Sequence, residues 1–203
     1  ALPIFQSLRI DNTGISGLDF ENWTWGLDNY LFLFSVECNF LQWYFNTFII
    51  ALAVCILQTL LQLMMAYTLS RFRFKMRKPL MNTMLILGMF PGFLNMIVLY
   101  QVLKGMNLTQ QNAVPGLILV SVASSGMGYY VCKGFFDTVP KSLDEAARID
   151  GATRLQIFYK VILPLAKPIV IYTILTAFMG PWGDFIFARL IAFGDPRGYN
   201  VAV

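Results

Sequence analysis

Charged residues are placed along this chain so that four long runs carry none: Cys38 to Ser70, Pro79 to Leu103, Gly105 to Cys132 and Pro168 to Gly183. A helix needs roughly 20 predominantly apolar residues to cross about 30 Å of hydrocarbon, and three of these runs exceed that length. The fourth reaches it only by taking in Asp184. Hydrocarbon offers free backbone N–H and C=O groups no partner, so runs of this kind are expected to be helices. The sequence is 57% hydrophobic and 13% charged, against roughly 25% charged in soluble domains. It lacks the polar surface a soluble protein needs to cover such helices. The expectation is an all-α, polytopic transmembrane protein with about four spans.

The remaining charges give a direction. Residues 8–37 hold Asp11, Asp19, Glu21, Asp28 and Glu37 against a single Arg9, whereas SRFRFKMRKP carries Arg71, Arg73, Lys75, Arg77 and Lys78 with no acid. Lys and Arg mark cytoplasmic loops, so residues 1–39 are read as an extracytoplasmic segment and 40–203 as the membrane domain. Leu41 to Leu69 then runs inward, Leu80 to Leu103 outward, KGMNLTQQN turns outside, and Val114 to Cys132 returns. The second basic cluster, Lys133 to Lys167, falls on the same side as the first without adjustment. A last span is expected from Pro168 to about Ala192. The basic residues flank spans rather than lining a soluble face, so nucleic acid is not an expected partner. Trp23, Trp25 and Tyr30 suit headgroup anchoring or, alternatively, stacking on a sugar.

Cys38, Cys55 and Cys132 cannot all pair, and no disulfide framework is read from them. Histidine is absent, which removes imidazole metal ligands and His-based triads. No phosphate-binding G-x-x-x-x-G-K-[ST] loop occurs either. No catalytic residue, metal or cofactor is expected, and any nucleotide chemistry must lie in a partner.

Between the third and fourth runs lies EAARIDGATRLQIFYKVILPL, residues 145–165. Ser142 and Glu145 fit a capping box, which predicts a helix from about Leu143, stopped by Gly151 in a left-handed conformation. Thr153 and Gln156 repeat the device and predict a second helix from Arg154 to about Leu163, ended by Pro164. Leu143, Ala146 and Ala147 would share one face of the first helix, with Asp144 and Arg148 paired at i,i+4 on another. Leu155, Phe158 and Ile162 would form the apolar stripe of the second. A helix this short has no stability alone and needs something to dock against.

Glu145-Ala146-Ala147, three residues, Gly151, nine residues, then Val161-Ile162-Leu163-Pro164 resembles the "EAA" signature of the membrane subunits of bacterial ATP-binding cassette importers, with Val161 where that pattern usually has Ile. AYTLSRFRF, MFPGFLNMIVLY, GFFDTVPKSLDEAARIDGAT and GPWGDF resemble the carbohydrate-importer branch, especially the maltose-type second permease subunit, over roughly residues 20–200. The resemblance implies a coupling loop at residues 134–167 that seats in a groove of an ATPase subunit. The coupling residues it implies are Asp144, Glu145, Ala146, Ala147, Asp150, Gly151, Leu163 and Pro164. The partners it implies are a second permease subunit, two ATPase subunits, an extracytoplasmic solute-binding protein, the lipid membrane and a sugar, in the bacterial inner membrane. That branch usually has six spans, so the full protein is expected to have one more at each end.

Asp184 is costly in a span, by about 2.5 to 3.5 kcal/mol at the bilayer centre, and is expected to face a cavity, pair with Arg189 or lie near the outer boundary. Gly180 and Pro181 should break the helix beside it. Trp182, Asp184 and Asn95 are candidates for the substrate pathway, with a polar helix-end role the alternative for Asp184. Gln58, Gln62 and Asn82 suit interhelical bonds or sugar contacts. The functional alternatives are a permease for a non-sugar solute and a non-transport membrane scaffold. An ion channel or membrane enzyme would need charged rings or clustered catalytic groups, and neither is seen.

Overall fold

The computed structural model describes residues 8, 26–35, 39–89, 92–124 and 128–202. Pro91, Cys38, Trp23 and Trp25, and with them the expected kink and the two-tryptophan anchor, lie outside the described residues. Among the described residues every regular element is helical. A short surface helix α1 (Asp28–Leu33) precedes α2 (Phe40–Arg71). The apolar run predicted from Pro79 is carried, among the described residues, by α3 (Arg77–Gly88) and α4 (Gly92–Gly105). A 3-10 turn at Gln110–Asn112 leads into α5 (Ala113–Ala123) and then α6 (Gly128–Thr138). The chain continues through α7 (Lys141–Ile149), α8 (Arg154–Leu165), α9 (Lys167–Met179), a 3-10 turn at Gly180–Trp182 and α10 (Ile186–Ala192).

Phe40–Arg71 and Gln110–Thr138 are long and apolar enough to cross a membrane, and α8 with α9 through Trp182 makes a third such stretch bent by 88°. At 1.5 Å per residue, the 32 residues of α2 make a rod of about 48 Å, well beyond the roughly 30 Å of hydrocarbon. Its last turns therefore have length to spare outside the apolar slab. The break at Gly180 and Pro181 is present as predicted.

Lipid tails are as apolar as leucine, so these helices associate by close packing rather than by escape from water. Small residues make that approach possible: Ala51 on α2, Ala113 on α5 and Ala188 and Ala192 on α10 have no exposed surface. Ala113, Ala188 and Ala192 sit in one core cluster with Ile50, Val54, Leu103, Leu117 and Phe187. A second cluster lies at the other end of α2, where Leu63, Ala66 and Tyr67 meet Cys132 and Phe136 of α6, Ile157 and Ile162 of α8, and Ile169 of α9. One polar cluster inside the bundle pairs between helices. Gln62 donates to Cys132 Sγ at 3.6 Å, and Cys132 Sγ lies 3.2 Å from Thr173 Oγ1, tying α2, α6 and α9. Gln62 thus has the interhelical role, and Asn82 is exposed.

Candidate functional site

The hairpin of α7 and α8 is built largely as its residues predict. Gly151 has φ +81°, its N–H donates to Arg148 O at 3.0 Å, and Ala152 N–H donates to Ala147 O at 2.9 Å. That is the paired closure of a glycine-capped helix end. Thr153 Oγ1 accepts from Gln156 N–H while Gln156 Oε1 accepts from Thr153 N–H at 2.7 Å, the reciprocal box that starts α8.

Three local expectations fail, each for a physical reason. Ser142 is not a cap: α7 starts at Lys141 behind Pro140, which stands extended at φ −57° and ψ 134°. The fixed proline φ starts the helix ahead of the serine. Pro164 does not end α8, which runs to Leu165; Ile157–Ile162 is a π-helical segment. Its wider turns shift the register, so Ile157, Phe158, Val161 and Ile162 face the core and Leu155 is 68% exposed. Asp144 does not pair with Arg148. It turns inward, and its Oδ2 lies 3.1 Å from Arg71 Nε at the end of α2, with side-chain exposures of 9% and 3%. The approach is an ion-pair contact rather than an aligned hydrogen bond, since Arg71 Nε, Arg71 Nη1 and Asp144 Oδ1 have no hydrogen-bond partner among the described residues.

The end of α2 grips the whole hairpin. Arg71 Nη2 donates to Val139 O at 3.0 Å, and Ser70 Oγ donates to Asp137 Oδ1 at 2.6 Å. Asp137 also takes a hydrogen bond from Lys133 one turn earlier. Tyr67 Oη donates to Arg154 O at 3.4 Å and its ring lies 4.9 Å from Phe158, while the Arg154 guanidinium sits 4.8 Å over Phe72. With Asp144 and Ala147 directed inward, Leu143, Glu145, Ala146 and Ile149 are left exposed on α7, Ile149 at 87%. Asp150, Gly151 and Pro164 are also exposed and Leu163 is half-buried. The predicted apolar face of Leu143 with both alanines is thus divided: Ala147 packs inward and the other two look out. Arg71 was legible only as a topology marker, because nothing local connects it to a carboxylate beyond two further spans.

At the other end, Asp184 and Asn95 share a cavity of about 700 Å³ with Ser121 and Ser124. A smaller cavity of about 280 Å³ beside it is lined by Gln58, Thr176 and Gly180, and again by Ser121 and Asp184. Asp184 Oδ1 also accepts from Phe187 N–H at 3.3 Å in the first turn of α10. The carboxylate therefore serves a helix end and two cavities, and no ion pair joins it to Arg189, whose guanidinium lies 5.7 Å over Phe185. Trp182 lines neither cavity; its ring packs on Tyr44 and Phe178 at 5.5 and 6.1 Å.

A family model described as "Binding-protein-dependent transport system inner membrane component" matches residues 58–199, spanning the bundle and the hairpin. The chain belongs to this family. Such inner membrane components are transport subunits, and ATP hydrolysis belongs to separate partners. A maltodextrin transport system permease protein of Bacillus subtilis is 36% identical over 198 residues, 98% of this chain and 70% of its own length. A second maltodextrin permease, from Streptococcus pneumoniae, is 35% identical over 203 residues, 100% of this chain and 71% of its own. Among solved structures, a bacterial ABC transporter involved in the import of the acidic polysaccharide alginate matches with TM-score 0.66 and 26% identity, over 80% of this chain and 56% of that one. The inner membrane component described here is thus a multi-pass ABC importer permease.

Proposed function

We propose that this permease carries a sugar or oligosaccharide, driven by ATPase subunits that dock on the α7–Gly151–α8 hairpin. The carrying observation is the division of that hairpin: Asp144, Ala147 and Ile157 are fixed to the bundle while Leu143, Glu145, Ala146 and Ile149 look outward and stay exposed among the described residues. An amphipathic hairpin so anchored on one face is shaped to be pushed on the other. Glu145, Asp150 and Gly151 lie on the outward side, with Leu163 and Pro164 at the far end of α8. The hairpin faces the cytoplasm with the basic clusters, and residues 1–39 lie outside. A second permease subunit, a pair of ATPases and an external binding protein complete the machine. Asn95 and Asp184, with Ser121, offer hydroxyl-matching groups in the larger cavity, whereas Trp182 packs on Tyr44 and Phe178 outside it.

The test joins contact to cargo. In the complex assembled with its cognate ATPase, Ala146→Cys should cross-link to cysteines placed along the ATPase groove, and membrane vesicles should take up labelled maltodextrin with ATP. A cysteine at 146 that reacts only from the exterior, or uptake that glucose polymers fail to compete, overturns the reading.

A further inference from the structure

We propose that Arg71 and Asp144 form a transmission pin, making α7 and the last turn of α2 one rigid unit, so that a push on the hairpin moves α2 before any other span. This rests on the reading that the hairpin receives the ATPase.

The covalent links of the hairpin are poor levers. It is joined to α6 through Pro140, extended at φ −57° and ψ 134°, and to α9 through Ala166, non-helical at φ −97° and ψ 22° with an 88° bend. A force along the chain meets a hinge at either junction. The non-covalent route is stiff. Four residues of one α2 end, Tyr67, Ser70, Arg71 and Phe72, hold the Arg154 carbonyl, the Asp137 carboxylate, Asp144 with the Val139 carbonyl, and the Arg154 guanidinium. The Arg71–Asp144 contact is the ion pair that joins α2 directly to α7, and it is buried, so solvent and salt do not weaken it as they would a surface pair. Asp144 is the one buried residue of α7. Removing either charge strands the other in an apolar site, which α7 can relieve only by leaving α2.

Arg71 is a positioning residue on this account, and its test reads transport per ATP hydrolysed in proteoliposomes holding the full complex. Arg71→Gln and Asp144→Asn should each keep ATP hydrolysis while transport per ATP falls about tenfold. The exchanged pair, Arg71→Asp with Asp144→Arg, should recover most of that loss. Normal transport per ATP in both single variants overturns the pin, as does an assembled exchange variant without recovery. Should the variants fail to assemble, spin labels at Arg73→Cys and Lys141→Cys in an otherwise unaltered complex decide. Their separation should hold within about 2 Å between nucleotide-free and ATP-bound states, and a larger change overturns the rigid unit. Cross-linking at Ala146→Cys reports separately on the docking itself, so failure of one reading is not mistaken for failure of the other.

Discussion

Gly116 of α5 lies so close to Leu108 that a Cβ built on it would clash with the Leu108 carbonyl oxygen. The contact folds the connection after α4 down onto α5, aided by left-handed backbone at Asn107 and Gln110. Because the obstacle is backbone, it cannot rotate away. Gly116→Ala is expected to destabilise the protein by about 1–3 kcal/mol as an overpacked site. Gly134 of α6 has nothing within 4 Å, and Gly134→Ala should instead stabilise by about 0.4–1 kcal/mol. Thermal unfolding of the detergent-solubilised protein separates the two, and equal effects would refute the close-approach argument.

At Gly151 the constraint is conformation rather than space: φ is +81° and no heavy atom lies near a would-be Cβ. Gly151→Ala should cost about 1–2 kcal/mol, and Gly151→Asn less, since asparagine visits the left-handed region more readily. Gly151→Asp should match the asparagine variant in stability yet lose uptake while ATP hydrolysis persists, because it adds charge on the exposed turn proposed to meet the ATPase. Glu145→Lys should uncouple in the same way. If both charge variants take up substrate normally in vesicles, the coupling assignment fails.

The elements that sequence revealed are those governed by neighbours along the chain. The charge-free run from Cys38 to Ser70 marks α2 to within a residue or two, because solvation of charges and apolarity of lipid leave little choice. Gly151 and the Thr153–Gln156 box were readable because their bonds close within four residues. Asp144 was not, since the i,i+4 rule offers Arg148 and says nothing of an arginine at the end of another helix. Ser142 lost to Pro140 for the start of α7, and the π segment of α8 carried the helix past Pro164 and moved Leu155 off the buried stripe. At the cavity beside the Gly180–Pro181 break, Asp184 and Asn95 meet through tertiary packing that no periodicity encodes, and Ser121 joins them from α5.

Asp195 forms a clasp with Arg197 beyond α10, its Oδ1 accepting from Arg197 Nε at 3.1 Å and from Arg197 N–H at 3.0 Å, its Oδ2 from Nη2 at 3.0 Å. The Arg197 side-chain bonds, then the backbone bond, hold the carboxyl below the usual carboxylate range. A carboxyl lowered on folding contributes while ionised, so the clasp is complete above its unfolded pKa and is lost as pH falls through the lowered folded value. Protection of the Arg197 N–H against hydrogen exchange, relative to its intrinsic rate, should therefore hold at neutral pH and be lost below the usual carboxylate range. Asp195→Asn should remove that pH dependence, and a transition near neutrality would contradict the assignment.

Asn200 joins this clasped segment to the break beside the cavity: its Nδ2 donates to Pro181 O at 3.2 Å and to Asp184 O at 2.8 Å. Both carbonyls lie where the helix has been interrupted and cannot be satisfied by an ordinary ladder, so the amide substitutes for it. Asn200→Ala should cost about 1–3 kcal/mol by leaving them unpaired, and Asn200→Asp more, because it sets oxygen against oxygen. The backbone carrying Asp184 is what loosens, so the transport defect should appear as weaker substrate dependence with transport per ATP preserved at saturation. Asp184→Asn, which keeps shape and removes charge, should shift substrate dependence with little change in thermal stability. A fall in transport per ATP in Asn200→Ala would place this residue in the coupling path, contrary to the separation of the two ends of α2.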